Sequence, residues 1–406
     1  MSQQFLQQWG EAAYTTTGFF WMAMWAFILG YIVSSMVQVF VTRERMRKYI
    51  GESNLKSLSI ASFFGFISSS CSFAALATTK SLFQKGASFA AAIAYLLAST
   101  NLVIELGVVI SIFLGWQFVV GEYVGGILLI LSCWLLIKLI KPKKLIEAAR
   151  KSLGKPDNHH MKDQSFWEKF RSNESWQRIG QKYAMEWQMV WKDVTVGFTI
   201  AGIVAVFVPD SFFQTLFINS GSGSDYSFFT LLEHVIVGPV AAFLTFIGSM
   251  GNIPLAALLF DKGVSFAGVM AFIFSDLVVF PVLRINAKYY GWKMSLFILF
   301  LLFSSLITTS LILHYGFSLA ELLPDTSVKS SITEGDHFKT NYTFFLNLIF
   351  VAISGVLAYV GFVKGKGMMH HGEMAQKSPA LEKTLKYLAL ICYVWLGIGL
   401  ILKFLI

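Results

Sequence analysis

Hydrophobic positions in this chain fall in long, nearly unbroken runs. Residues 17–41, 88–116, 119–140, 195–217, 265–282, 294–313, 344–363 and 385–406 are apolar over most of their length. A helix needs about 20 such residues to cross the hydrocarbon of a bilayer, so each run predicts a membrane-spanning helix. Two more apolar stretches, 58–83 and 228–260, are cut near their middles by small polar residues. Ser68-Ser69-Ser70-Cys71-Ser72 interrupts the first and Gly248-Ser249-Met250-Gly251-Asn252 the second. A helix broken inside lipid frees backbone N–H and C=O groups that are costly to leave unmet. Such a break persists only where protein buries it or water reaches it.

The string SLFQKGASFA at 81–90 returns as LLFDKGVSFA at 258–267, 177 positions later. Leu82/Leu259, Phe83/Phe260, Lys85/Lys262, Gly86/Gly263, Ser88/Ser265, Phe89/Phe266 and Ala90/Ala267 are identical pairs. Ser72 and Ser249, on the two interruptions, stand at the same offset. The chain carries two copies of one unit.

Basic residues assign the sides. Arg43, Arg45, Arg47 and Lys48 follow the first span, and Lys138, Lys141, Lys143 and Lys144 close the span at 119–140. Both ends are therefore cytoplasmic by the positive-inside bias. Counting back, 88–116 runs outward and the turn at 84–86 is cytoplasmic, so 58–83 enters and leaves on one face. It reads as a re-entrant hairpin of two half-helices. In the second copy 195–217 runs outward and 228–260 enters from outside. This topology puts 28 of the 32 Lys and Arg residues inside, leaving Lys262, Lys329, Lys339 and Lys403. The expected fold is an all-α polytopic membrane protein: eight transmembrane helices plus two re-entrant broken-helix hairpins, in inverted-topology repeats. Residues 1–140 form the first repeat with hairpin 58–83, and 141–193 form a cytoplasmic linker. Residues 194–316 form the second, inverted repeat with hairpin 228–260. Residues 317–406 supply an outer loop and two additional helices. The N-terminus lies outside, and 146–153 and 165–191 have the amphipathic character of interfacial helices.

Composition agrees. The chain is 55% hydrophobic and 14% charged, where a soluble domain carries roughly 25% charged residues. The net charge of +9 follows from the positive-inside bias and does not call for a nucleic-acid partner. Cys71, Cys133 and Cys392 all lie in apolar stretches, with no disulfide framework and no metal spacing. The N-terminal MSQQFLQQWGEAAY has no basic residue, and the apolar segment after it is too long for a signal peptide. It is expected to stay in the membrane.

Paired broken helices in an inverted repeat put a substrate site near the bilayer midplane of a secondary transporter. The expected substrate-binding residues at the first tip are Ser69, Ser70, Cys71 and Ser72. At the second tip they are Gly248, Ser249, Gly251, Asn252 and Pro254. Ser99, Thr100 and Asn101, midway along 88–116, complete the set. Hydroxyls, an amide and half-helix ends make a polar pocket with little fixed charge, and Cys71 would add one soft ligand. Small-residue helix packing accounts for glycine and serine there, though not for the same interruption in both copies. Asp276, deep in 265–282, is a functional candidate because an intramembrane carboxyl is costly to keep. It equally suits a structural hydrogen bond. Ion coupling, to a proton or cation, is assigned to Asp276 and Glu105. Glu233 and His234 read as an entrance or snorkelling feature. His159-His160 and His370-His371 lack helical ligand spacing and read as solvated loop. No cofactor, resident metal or catalytic constellation is expected. With no nucleotide loop or HExxH, neither ATP hydrolysis nor other enzymatic chemistry is expected.

At SSSCSFAALATTKSLFQKGASFAAAIAYLLAST, and again at GSMGNIPLAALLFDKGVSFAGVMAFIFSD, the sequence resembles a family of bacterial permeases. That family includes YraQ-type proteins and ArsP-type organoarsenical exporters. The resemblance covers roughly residues 55–140 and 228–315. It implies an inner-membrane permease, in some members an efflux carrier for trivalent organoarsenicals. The family's first tip tends to be rich in cysteine with a proline nearby, whereas here Cys71 is the lone thiol among Ser68–Ser72.

The expected function is a secondary transporter that exports a small solute, such as a metalloid or organic compound, by alternating access around two apposed hairpin tips. A hairpin-lined channel is the alternative. The expected partners are the lipid bilayer and a small-molecule substrate, with a homo-oligomer left open. Single cysteines placed at 84–86 and at 261–263 are expected to react with an impermeant thiol reagent from opposite faces of intact cells. Labelling of both from one face would refute the inverted topology.

Overall fold

A computed structural model of the chain describes residues 3–40, 54–68, 72–84, 86–153, 172–220, 226–245, 249–324, 338, 342–361 and 379–405. Ser69, Ser70, Cys71 and Gly248, with the two His-His pairs, lie outside the described residues.

The repeated Lys-Gly-x-Ser-Phe string is a helix stop and a helix start packed into five residues. In the first copy the amide of Gly86 donates to the Phe83 carbonyl (3.2 Å) and that of Ala87 to Leu82 (3.0 Å). In the second, Gly263 donates to Phe260 (2.9 Å) and Val264 to Leu259 (3.0 Å). These paired bonds form the Schellman motif, which needs a left-handed residue where Gly stands. Gly86 has φ 107° and Gly263 φ 82°. Two residues on, the hydroxyls of Ser88 and Ser265 each accept an amide three residues ahead, from Ala91 and Gly268, both at 3.2 Å. A serine N-cap of this kind satisfies a donor that a helix start leaves over. Carbonyls of both turns are taken up: Arg150 donates to Ala87 (2.7 Å) and Tyr226 to Gly263 (2.7 Å). Burial raises the Tyr226 phenol above its ordinary pKa, so it remains a donor.

The elements around these joints are α1 (Gln3–Phe40), α2 (Leu55–Ser68), α3 (Ser72–Gln84), α4 (Phe89–Asn101), α5 (Ile104–Phe113), α6 (Trp116–Ile140), α7 (Lys143–Ser152), α8 (Asn173–Phe207) and α9 (Asp210–Leu216). They continue with α10 (Phe228–Thr245), a 3-10 turn (Ser249–Asn252), α11 (Ile253–Asp261), α12 (Phe266–Ile273), a second 3-10 turn (Phe274–Leu277), α13 (Phe280–Tyr290), α14 (Trp292–Leu319), α15 (Tyr342–Tyr359) and α16 (Pro379–Leu405). The protein is an all-α membrane protein, with no strand among the described residues. Among the described residues, five helical segments are long and apolar enough to cross a bilayer: Gln3–Val33, Trp116–Ile140, Phe266–Tyr290, Trp292–Leu319 and Lys383–Leu405. The bent pair α4–α5 makes a sixth. Shorter apolar helices occupy Leu55–Ser68, Val194–Phe207, Phe228–Phe243 and Thr343–Tyr359.

Within stretch 58–83 the described helical residues run to Ser68 and resume at Ser72, and within 228–260 they run to Thr245 and resume as a 3-10 turn at Ser249. Helix α3 has 13 residues, about 20 Å at 1.5 Å per residue, too short to cross alone. The spans expected at 88–116 and 265–282 are also divided, which hydropathy does not reveal. Helices α4 and α5 meet at 42° across Leu102 and Val103. Here Ser99 and Thr100 donate to Leu96 O (2.9 and 3.1 Å), and Asn101 donates to Leu97 O (3.2 Å). Side chains that take the carbonyls of their own helix bend or end it. In the second copy the helix tightens to 3-10 geometry at Phe274–Leu277 and resumes with Pro281 in its first turn. The helix expected to reach residue 217 stops at Phe207, because Pro209 holds Val208 extended (φ −91°, ψ 117°). Its other end reaches back to Asn173, so the amphipathic stretch before residue 195 and the apolar one after it form one rod.

Helix α4 and the stretch from α12 into the second 3-10 turn form the core and are buried throughout. Ala61 and Gly65 seat α2 on α4, and Gly238 and Ala242, at matching positions, belong to the face that seats α10 on α12. A Cβ at Gly65 would lie 2.5 Å from the Tyr95 carbonyl oxygen and 2.8 Å from Ala98 Cβ. Helices α6 and α14 run antiparallel: Cys133 Sγ donates to Ser305 Oγ (3.1 Å), and Gly125 faces Leu313. Amphipathic α7 docks on the turn after α3, with Arg150 over the Phe83 ring (4.6 Å) and the Leu153 carbonyl accepting from Gln84 (2.7 Å). His234 is buried. Its Nδ1 accepts from the Ser265 amide (3.1 Å), so its Nε2 is the donor to Ile218 O (2.9 Å). It anchors the start of α12 and does not snorkel.

Gly65→Ala is expected to lower the thermal unfolding midpoint in detergent, the overpacking costing about 1–3 kcal/mol. Gly86→Ala meets nothing within 4 Å, so backbone strain of about 1 kcal/mol sets its smaller effect. The reverse order would contradict the seating of α2 on α4.

Candidate functional site

Three elements converge: Ser72 of α3, Ser249 of the 3-10 turn leading into α11, and Asp276 of the 3-10 turn after α12. Ser249 Oγ donates to Asp276 Oδ2 at 2.8 Å, and Ser72 Oγ to the same oxygen at 3.2 Å. The two serine oxygens are 3.3 Å apart. Each hydroxyl has one proton, so while both serve the carboxylate their mutual contact is proximity and not a further bond. Asp276 is 2% exposed and Ser72 7%.

Two hydroxyls from separate elements therefore meet at one buried carboxylate. Asp276 Oδ1 is buried with no hydrogen-bond partner among the described residues. Leaving such an acceptor unmet costs about 1–3 kcal/mol.

The other candidates fall around this centre. Gly251 and Asn252 are buried in the 3-10 turn, and Pro254 lies in the first turn of α11, where proline fits. Ser99, Thr100 and Asn101 are buried on α4, and their side chains bond to their own helix and to one another. They shape the bend and are not brought into the serine–aspartate cluster. Glu105 is 5% exposed in the first turn of α5, its Cβ packed against Gly30 of α1. Among the described residues no group of three His, Cys, Asp or Glu side chains is placed to hold a metal.

Sequence reasoning missed three neighbours. Tyr95 donates to Ser68 Oγ at 2.7 Å, tying the end of α2 to the core. Tyr31 of α1 donates to Met250 Sδ at 3.8 Å, touching the second tip. Glu122 of α6 is wholly buried and feels the charge of Asp276. Tyrosines in apolar runs give no signal in a single sequence. Glu122 did, being a carboxyl inside an apolar span by the same rule that singled out Asp276.

Ser72→Ala and Ser249→Ala are expected to be non-additive in unfolding free energy by about 0.5–3 kcal/mol, because both hydroxyls serve one oxygen. Ser99→Ala combined with either is expected to be additive. Denaturation of the four-variant cycle in detergent measures this, and additivity of the Ser72–Ser249 pair would remove the shared acceptor.

No solved structure matches the chain. Rv2963 of Mycobacterium tuberculosis, which bears the name of permease by inference, is 37% identical over 339 residues, covering 81% of this chain and 82% of its own. The family model ArsP_1, described as a predicted permease, matches residues 8–315, which include both polar runs and Asp276. A multi-pass helical protein with this match over most of its length belongs to the ArsP_1 family of permeases, membrane transport proteins.

Proposed function

We propose that this chain is a secondary transporter of the bacterial inner membrane that exports a small solute, a metalloid or organic compound, by alternating access. The solute binds between two re-entrant tips in inverted repeats, at Ser72, Ser249, Asn252 and their neighbours. Asp276 and Glu105 couple its movement to a proton or cation.

The observation that carries this reading is the contact between Ser72 and Ser249. They are equivalent positions at the repeat offset, and two equivalents touch only on the axis relating their copies. Other contacts are reciprocal in the same way. Gly115-Trp116 and Gly291-Trp292 set the later offset at 176, which pairs Gly121 with Phe297. The Phe266 ring would meet a Cβ at Gly121 at 3.1 Å, and the Phe89 ring lies 6.3 Å from that of Phe297. The equivalents α6 and α14 run antiparallel, as a two-fold axis in the membrane plane requires. Eight spans and two hairpins then follow if α8 and α15 cross as spans. That topology sets the N-terminus outside and 141–193 in the cytoplasm.

A channel through the same tips is the competing reading. Among the described residues the centre is closed, with Ser72 against Ser249 and Asp276 buried, which suits a carrier between its two access states. Saturable flux supports the carrier and unitary currents the channel.

The test is survival of a deletion strain against metalloids, thiol-reactive compounds and organic cations, followed by flux of whichever compound loses tolerance. The double variant Ser72→Leu, Asn252→Leu is expected to reach the membrane at wild-type level and to lose about tenfold or more of that flux, the equivalent of about 1.4 kcal/mol. Undiminished flux in the double variant would sink the site.

A further inference from the structure

We propose that Glu122 and Asp276 form a proton-sharing acid pair, in which Glu122 receives the proton that couples transport. This deepens the transporter reading and rests on it for direction, by naming the coupling ion and a carrier residue outside the tips.

Glu122 is 0% exposed, and neither of its carboxyl oxygens has a hydrogen-bond partner among the described residues. Asp276 Oδ1 is in the same state, the charge of Asp276 acts on Glu122, and Gly125, one turn along α6, faces the ring of Phe274, two residues before Asp276. Structural acids in membrane helices pair with a cation or collect donors. Glu122 has neither among the described residues: the ion pairs there join other residues, and its glycine neighbours on α6 face apolar side chains. Gly121 next to it faces the Phe266 ring and Met270, and Gly125 faces Phe274 and Leu313. With no donor bonded to it among the described residues, a proton on the carboxyl itself is what removes the charge. Two buried acids, one in the field of the other, would hold one proton more readily than two negative charges.

The other titratable groups on the elements packed here are few. Tyr123 donates to Val103 O at 3.3 Å and feels both Glu122 and Glu105. Tyr95 on α4 is taken up by Ser68. His314 on α14 is buried with Nδ1 unpartnered among the described residues. The Gly125–Leu313 register puts it within one turn of Glu122.

Glu122 is the seventh residue of α6, about 9 Å from its start at 1.5 Å per residue. That start is the outer end in the proposed topology, so Glu122 lies between the outer mouth and Asp276. In the step proposed, a proton from outside binds Glu122, then leaves it for the free Oδ1 of Asp276, and the negative charge moves to Glu122. Neutral Asp276 holds the serine hydroxyls less tightly, which frees them for the solute.

Infrared difference spectra of the full-length protein in lipid, taken across pH, test this without a substrate. The wild type is expected to show the carbonyl-stretch band of a protonated buried carboxyl at neutral pH. Glu122→Gln is expected to abolish it, Glu122→Asp to keep it displaced, Asp276→Asn to shift it, and exposed Glu147→Gln to leave it alone. A band unchanged in Glu122→Gln, or one that follows sodium and not pH, overturns the proposal. If flux is intact and the band is absent, the acid pair fails while the transporter reading stands. If the band behaves as expected but no compound is moved, the transporter reading fails and the proton-sharing pair remains.

Discussion

A carboxyl group cannot sit in the middle of a hydrocarbon-bounded protein without donors, and meeting that demand at Asp276 organises the centre of this molecule. Apolar helices have no donors to give along their length, since every interior amide is already bonded four residues back. Donors must then come from side chains or from helix ends. Ser72 and Ser249, equivalent positions of the two copies, each bring a hydroxyl to the same carboxyl oxygen. The two polar runs and the buried acid are therefore met at one point.

Holding three breaks in register requires a scaffold that lets backbones come close. Alanine and glycine at positions 61, 65, 238 and 242 bring α2 and α10 onto α4 and α12. The Schellman turns and serine caps at 86–88 and 263–265 then fix the angle at which each half-helix leaves its partner. The polar contacts at the centre are few. Hydrogen bonds to a charged group contribute about 1.5–3 kcal/mol each, an amount that a bound solute or a proton on Asp276 could replace. A strong frame thus surrounds a weakly latched centre, which can change its contacts without the frame unfolding.

Glu122 is another buried acid near this centre. Glycine-rich α6 gives it close, apolar walls. Glu105, which hydropathy alone makes equally eligible, packs against Gly30 of α1, and both it and Glu122 act on Tyr123. Glu105 and Glu122 flank the break between α4 and α5, whereas Asp276 sits in the 3-10 turn after α12.

Much of this was legible in the chain before folding. Runs of apolar residues specify membrane helices because lipid tolerates nothing else, and duplication is visible as identity at a fixed offset. Polar residues at the same place in both copies mark where the helices break, so Ser72, Ser249 and Asp276 could be named as candidates. What periodicity could not say is which polar side chains face one another. Ser99 to Asn101 have the composition of a binding site, yet they bond their own helix and bend it, because a hydroxyl's nearest carbonyl is local unless packing offers a better one. The division of α4 from α5 and of α12 from α13 was hidden for the same reason, both breaks being too apolar on average to show. Glu122 looked like one acid among several until packing enclosed it and set it within reach of Asp276. Burial and mutual distance belong to the assembled helices, and they separate a carboxyl that works from one that only sits in the membrane.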